Sequence, residues 1–317
     1  MQRLTFYRIL FTTCIISGIT IGVSRYLTRR HAAQTFDRLN KVFQPKNPAT
    51  KELGIYDQAL PQFWTGSKKK HGVLLIHSYA YIPYSLKSIL PKLQNIDMDY
   101  YVPLLSGWGR THFIEGITWQ DWLLDCVKAY DLMSSLYEKV SIIAHSSSSL
   151  MALYLASHYK VEHLILSSPN LKFRLIDRQI QDLLNTPVLG QLIELLDPIY
   201  RKPVRKNRSR SSDTLYQKQI DDGYWLASAT TSSLRALFDL QDRPLGKIMD
   251  CKDITILFGE QDATIDDKQK QINLIKNSAP EGVSVDTYMI PNSSHNIFLE
   301  APEVVDQAFA IIKKVLE

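Results

Sequence analysis

Val140-Ser141-Ile142-Ile143-Ala144-His145-Ser146-Ser147-Ser148-Ser149-Leu150 decides how this chain is read. The run Val140–Ala144 has the apolar character of a buried strand, and Leu150–His158 has the character of a helix behind it. A serine in a sharp strand-to-helix turn has its hydroxyl pushed out above the sheet. The residues two before and two after it must be small, because backbone segments pack closely there. Ala144 and Ser148 frame Ser146 in this way, where glycine is usual. Taking Ser147 would put His145 at a small position, and taking Ser148 would put Leu150 there. Sterics therefore select Ser146 as the candidate nucleophile. A serine run alone would signal only a loop; the flanking strand and helix give it meaning.

Outward from this turn, apolar runs alternate with helical patterns. Val73–Ile76, Tyr100–Val102, His163–Leu166, Ile254–Phe258 and Val283–Ile290 read as further strands. Helices are expected from Pro83 through Leu93, from Thr118 to Leu136 and from Val304 to Val315. This alternation predicts an α/β fold with a mostly parallel sheet covered on both faces. Catalytic groups then belong at the carboxyl ends of the strands. Asn170–Met249 breaks the alternation, being helix-like, polar and basic, and reads as a cap inserted at about 170–249.

Several strings carry a resemblance. Val73-Leu74-Leu75-Ile76-His77-Ser78-Tyr79 is similar to a strand ending in His-Gly-aromatic, and Pro83-Tyr84-Ser85-Leu86 to the helix start that follows it. Pro103-Leu104-Leu105-Ser106-Gly107-Trp108-Gly109 resembles a Pro-x-Leu-x-Gly-His-Gly loop. Thr118-Trp119-Gln120-Asp121-Trp122 resembles a Thr-Trp-x-x-Trp helix start. With the serine turn among them, these pieces occur in the order found in the α/β-hydrolase superfamily. The resemblance covers Gly72 to Val315 and is nearest the monoacylglycerol lipase, carboxylesterase and serine aminopeptidase-like branch. Two residues depart from the pattern. Ser78 replaces a glycine and strains the turn if its backbone needs a positive φ. Trp108 replaces a histidine and implies a different lining for the pocket edge.

The resemblance implies the remaining machinery. Phe258-Gly259-Glu260-Gln261-Asp262 matches the family's Gly-x-x-Asp, so Asp262 is the expected acid, with Glu260, Asp266 and Asp267 as weaker alternatives. Pro291-Asn292-Ser293-Ser294-His295 follows the last strand and precedes the last helix, which makes His295 the expected base, and Glu300 fits the same loop. His77, His112 and His145 are weaker candidates. A serine hydroxyl needs such an oriented base to take its proton. The family's oxyanion donors fall on the backbone N–H groups of Tyr79 and Ser147.

The expected reaction is hydrolysis of carboxylic esters through an acyl-enzyme, with small-molecule or lipid esters such as monoacylglycerol or lysophospholipid as substrates. An aminopeptidase-like amidase and a catalytically inactive binding protein are the alternatives. No phosphate loop, metal-ligand cluster or dinucleotide fingerprint occurs, so no cofactor and no metal are expected.

The formal net charge of +5 is unevenly spread. Residues 1–70 hold 12 Lys/Arg against 3 Asp/Glu, and residues 250–317 hold 6 against 12. A second basic run spans Arg201–Arg210. No nucleic-acid-binding motif accompanies these charges, so an anionic membrane surface is the expected partner, with a solvated loop as the plain alternative for the second run. Ile9–Ser24 carries no charged side chain, and Leu4–Leu27 is long enough to cross a bilayer of roughly 30 Å. We expect an N-terminal membrane anchor at 1–30, a linker at 31–70 and the catalytic domain at 71–317. A cleaved signal peptide, giving a secreted or periplasmic protein, and a peripheral amphipathic segment are the rivals. Arginines on both sides leave the orientation open. Cys14, Cys126 and Cys251 show neither a disulfide framework nor metal-ligand spacing.

Overall fold

The computed structural model describes residues 45–66, 70–111, 116–172 and 228–317, with positions 23, 26, 179, 181–183, 186 and 199–201. Nine strands run in chain order: β1 (Gln62–Trp64), β2 (His71–Ile76), β3 (Asp99–Val102), β4 (Lys139–His145), β5 (Lys160–Ser167), β6 (Ile199–Arg201), β7 (Ser228–Thr230), β8 (Asp250–Gly259) and β9 (Ser284–Ile290). Seven of them form one sheet in the order β1-β3-β2-β4-β5-β8-β9. All neighbours in it are parallel except β1, which pairs antiparallel with β3.

Successive side chains of a strand point to opposite faces, and the central strands bury both. Leu74, Ile76, Ile142, Ala144, Leu164 and Leu166 join one apolar layer. Their neighbours Val73, Leu75, Ile143 and Ile165 join the other. The helices are α1 (Pro48–Leu53), α2 (Leu90–Asn95), α3 (Trp119–Leu136), α4 (Ser148–Ala156), α5 (Thr231–Asp242), α6 (Lys268–Ser278) and α7 (Pro302–Leu316). α3 and α4 bury Trp122, Cys126, Met133, Leu150 and Leu153 on the first layer. α7 buries Val305, Ala308, Phe309 and Ile312 on the second. α3 opens with Thr118, whose N–H donates to the Asp121 carboxylate at 2.8 Å, closing the first turn.

Three expectations change. The helix expected from Pro83 to Leu93 is instead a 3₁₀ turn at Pro83–Leu86 followed by α2. Pro91 is the cause. Inside a continuous helix it lacks the N–H and its ring meets the carbonyl four residues back, whereas in the first turn of α2 neither matters. β1 has no counterpart in the sequence reading. The helix-like insertion contains a two-stranded antiparallel ladder, β6 with β7, ahead of α5. Most of residues 173–227, including all of the basic run after Arg201, and His112 lie outside the described residues. The expected anchor, Leu4–Leu27, also lies outside them apart from two single positions. Among the described residues no helix is long and apolar enough to cross a membrane.

Candidate active site

β4 ends at His145 and α4 starts at Ser148, so Ser146 occupies the turn between them. Its φ is +60°, a left-handed conformation that costs a non-glycine residue about 1 kcal/mol or more. Hydrogen bonds hold it there. Ser146 N–H donates to Ser167 O at 2.8 Å, and Ser146 O accepts from Asn170 N–H at 3.2 Å. Ala144 and Ser148, the two small positions, are fully buried. Ser148 Oγ accepts from His145 N–H at 3.0 Å and lies 2.9 Å from Ile76 O and 2.7 Å from His145 O. The hydroxyl that departs from glycine is thus turned into the backbone, where it fastens the turn to β2.

Asp262 and His295 arrive from loops after β8 and β9. Gly259 lets the two loops touch. A Cβ there would lie 2.0 Å from Ser294 O and 2.6 Å from Ser293 O. Gln261 N–H then donates to Ser293 O at 2.8 Å. The Glu300 carboxylate accepts from Ser294 N–H at 2.7 Å and also from the Ser294 hydroxyl, fixing the residue before the histidine.

The three sequence-predicted side chains meet. His295 Nε2 is 2.7 Å from Ser146 Oγ, and His295 Nδ1 is 2.8 Å from Asp262 Oδ2. The buried Asp262 carboxylate also accepts from Thr264 N–H at 2.8 Å. Burial opposes ionisation of Asp262, but the charge and hydrogen bond of His295 and the Thr264 N–H outweigh it, so its pKa lies below the ordinary carboxylate value. An ionised Asp262 fixes the proton on Nδ1 and leaves the Nε2 lone pair facing the Ser146 hydroxyl.

The alternatives fall elsewhere. Asp267 caps α6 by accepting from Lys270 N–H, and Glu260 is exposed. His77 is fully buried at the end of β2. Its Nδ1 lies 3.0 Å from Ser78 O and its Nε2 accepts from Leu105 N–H at 3.1 Å. His145 contacts Ser167 O at 3.1 Å and Asn296 Oδ1 at 3.1 Å, so it braces the residue after His295. Burial pushes both rings down to about 4, helped at His145 by repulsion from His295. The Asn296 link is not legible in the sequence, because it joins the end of β4 to a loop 151 residues away.

Tyr79 N–H donates to Ser147 Oγ at 3.3 Å, so the two residues expected to supply oxyanion donors adjoin. Ser78 is not among the residues with positive φ. The strain expected there falls on Ala80, at φ +62°, in a turn closed by Tyr81 N–H to Ser78 O at 3.1 Å. Trp108 turns inward: it is buried, stacks on Trp122 with centroids 6.0 Å apart and meets the Tyr79 ring edge-on at 4.9 Å. No three-residue group of His, Cys, Asp or Glu among the described residues is placed to hold a metal ion.

A model described as "Alpha/beta hydrolase family" matches residues 73–308. The chain belongs to the alpha/beta hydrolase family. Membership gives it hydrolase chemistry of the α/β-hydrolase type. No curated protein matches it. Among solved structures it is similar to the monoacylglycerol lipase of Paleococcus ferrophilus, at 16% identity over 81% of this chain and 98% of that one, with a TM-score of 0.62. A soluble variant of the monoglyceride lipase of Saccharomyces cerevisiae is 16% identical over 81% and 90%, with a TM-score of 0.61. A structure from a study of carboxylesterases of Nitrososphaera gargenis is 17% identical over 81% and 94%, with a TM-score of 0.56. At such identities the likeness shows the shared fold alone.

Proposed function

We propose that this α/β-hydrolase is a serine esterase that cleaves carboxylic esters of lipid origin through an acyl-enzyme. The observation that carries this reading is the unbroken chain Asp262–His295–Ser146, with contacts of 2.8 and 2.7 Å. Ser146 Oγ attacks the ester carbonyl as His295 Nε2 takes its proton. The carbonyl oxygen becomes an oxyanion between the Tyr79 and Ser147 N–H groups, displacing the Ser147 hydroxyl from the first. His295 then hands its proton to the departing alcohol. Water repeats the cycle with the acyl group as target, and the acid leaves. Asp262 holds the imidazole in the required tautomer and stabilises its cation throughout.

Lipid-derived substrates such as monoacylglycerol or lysophospholipid suit a chain whose first 30 residues read as a membrane tether followed by basic residues. The monoacylglycerol and monoglyceride lipases among its structural likenesses lean the same way. Full-length protein should sediment with membranes and need detergent for release; recovery in the soluble fraction would remove the tether from the proposal. The catalytic reading is tested with p-nitrophenyl esters of several chain lengths and a fluorophosphonate probe. Wild type should hydrolyse them and be labelled at Ser146, and Ser146→Ala should do neither. Equal inertness of both proteins towards all these reagents would overturn the reading.

A further inference from the structure

The Tyr79 side chain reaches away from its own backbone to the inserted region. Its hydroxyl is 2.9 Å from Ser233 Oγ in the first turn of α5. Its ring is held edge-on by Trp108 at 4.9 Å and Trp122 at 5.8 Å. Trp122 is in turn fixed by its Nε1–H donating to Ser106 O at 2.9 Å. α5 itself is seated on α3, with Ala236, Leu237 and Leu240 buried in the same apolar layer as Trp122. The turn that this side chain anchors, Ser78–Tyr81, carries its positive φ on Ala80 at the third position, where a turn of this kind normally uses glycine. An alanine leaves that conformation readily unless something outside the turn holds it.

We propose that Ser233 is a positioning residue for the esterase reaction: through the Tyr79 hydroxyl, α5 of the insertion keeps the strained Ser78–Tyr81 turn in register and so keeps the Tyr79 N–H aimed at the oxyanion. The inference rests on the hydrolase reading above. It makes α5 of the insertion part of the catalytic apparatus. Movement of α5 away from α3 would then disarm the oxyanion site. An interaction realised only when the oxyanion has formed acts on kcat and leaves KM unchanged.

The test is a double-mutant cycle with Tyr79→Phe and Ser233→Ala, each of which removes one oxygen from a buried contact. Each single variant should lower kcat about tenfold, the rate equivalent of one lost buried hydrogen bond, with KM within about twofold. The double variant should be no slower than the slower single one, because both changes break the same link. Ala80→Gly placed in the Ser233→Ala background should restore most of the lost rate, since glycine holds the turn without the anchor. A general loss of folding would not be repaired in that way, and thermal midpoints of all variants close to wild type would exclude it directly. Effects that multiply in the double variant, that appear in KM alone, or that leave kcat within about twofold would overturn the proposal. A wild type that neither hydrolyses esters nor labels with fluorophosphonate overturns the hydrolase reading and this one together. A labelled wild type with equally reactive variants overturns this one alone.

Discussion

Asp262 decides which nitrogen of His295 carries the proton. Asp262→Asn keeps the shape but presents an amide that favours the opposite tautomer, so kcat should fall by about 10⁴, with folding unchanged by circular dichroism. A loss below about tenfold would mean that the carboxylate is only a structural partner. Gly259 has a different task. The carbonyls of Ser293 and Ser294 occupy the space its side chain would need, so Gly259→Ala must move the histidine loop or unfold it. We expect loss of esterase activity together with a thermal midpoint several degrees lower, read by differential scanning calorimetry. That Ser146, Asp262 and His295 would meet was legible from the sequence, because each stands in a short local pattern and the three follow a fixed order along the chain. The inward hydroxyl of Ser148 and the Asn296–His145 link were not, because each joins residues distant in sequence.

Strands β2, β4, β5 and β8 were readable because burial on both faces leaves a continuous apolar run. β1 was invisible for the opposite reason. Three residues are too few to show a period, and antiparallel pairing with β3 at the sheet margin needs no apolar run. Pro91 splits one expected helix into a 3₁₀ turn and α2, a boundary visible only when the proline is weighed as a start signal. The central layer should respond as a close-packed interior does. Ile165, fully buried between β4 and β8 and facing α7, should cost about 2–5 kcal/mol when replaced by alanine. A urea midpoint shifted by less than about 1 kcal/mol equivalent would show that the layer collapses to fill the gap.

Two buried histidines give the entire molecule a pH-dependent stability. His77 and His145 titrate at about 4 in the fold against an ordinary 6.5. Between those values the unfolded chain binds more protons, so stability is full above about 6.5 and is lost as pH falls towards 4. Each shift corresponds to about 3 kcal/mol at most. Urea unfolding between pH 7.5 and 4.5 should show this decline before most carboxylates titrate, and His145→Gln should remove about half of it. A profile level down to pH 4.5 would contradict both shifts. The reversed direction of β1 has a geometric outcome of its own. Gln62 opposes Val102, so the segment before β1 meets the sheet at the rim where parallel strands end, and Tyr56 N–H is bonded there to Gly109 O beside Trp108. The chain upstream of β1 therefore enters the sheet at the same rim as the turn that carries Ser146.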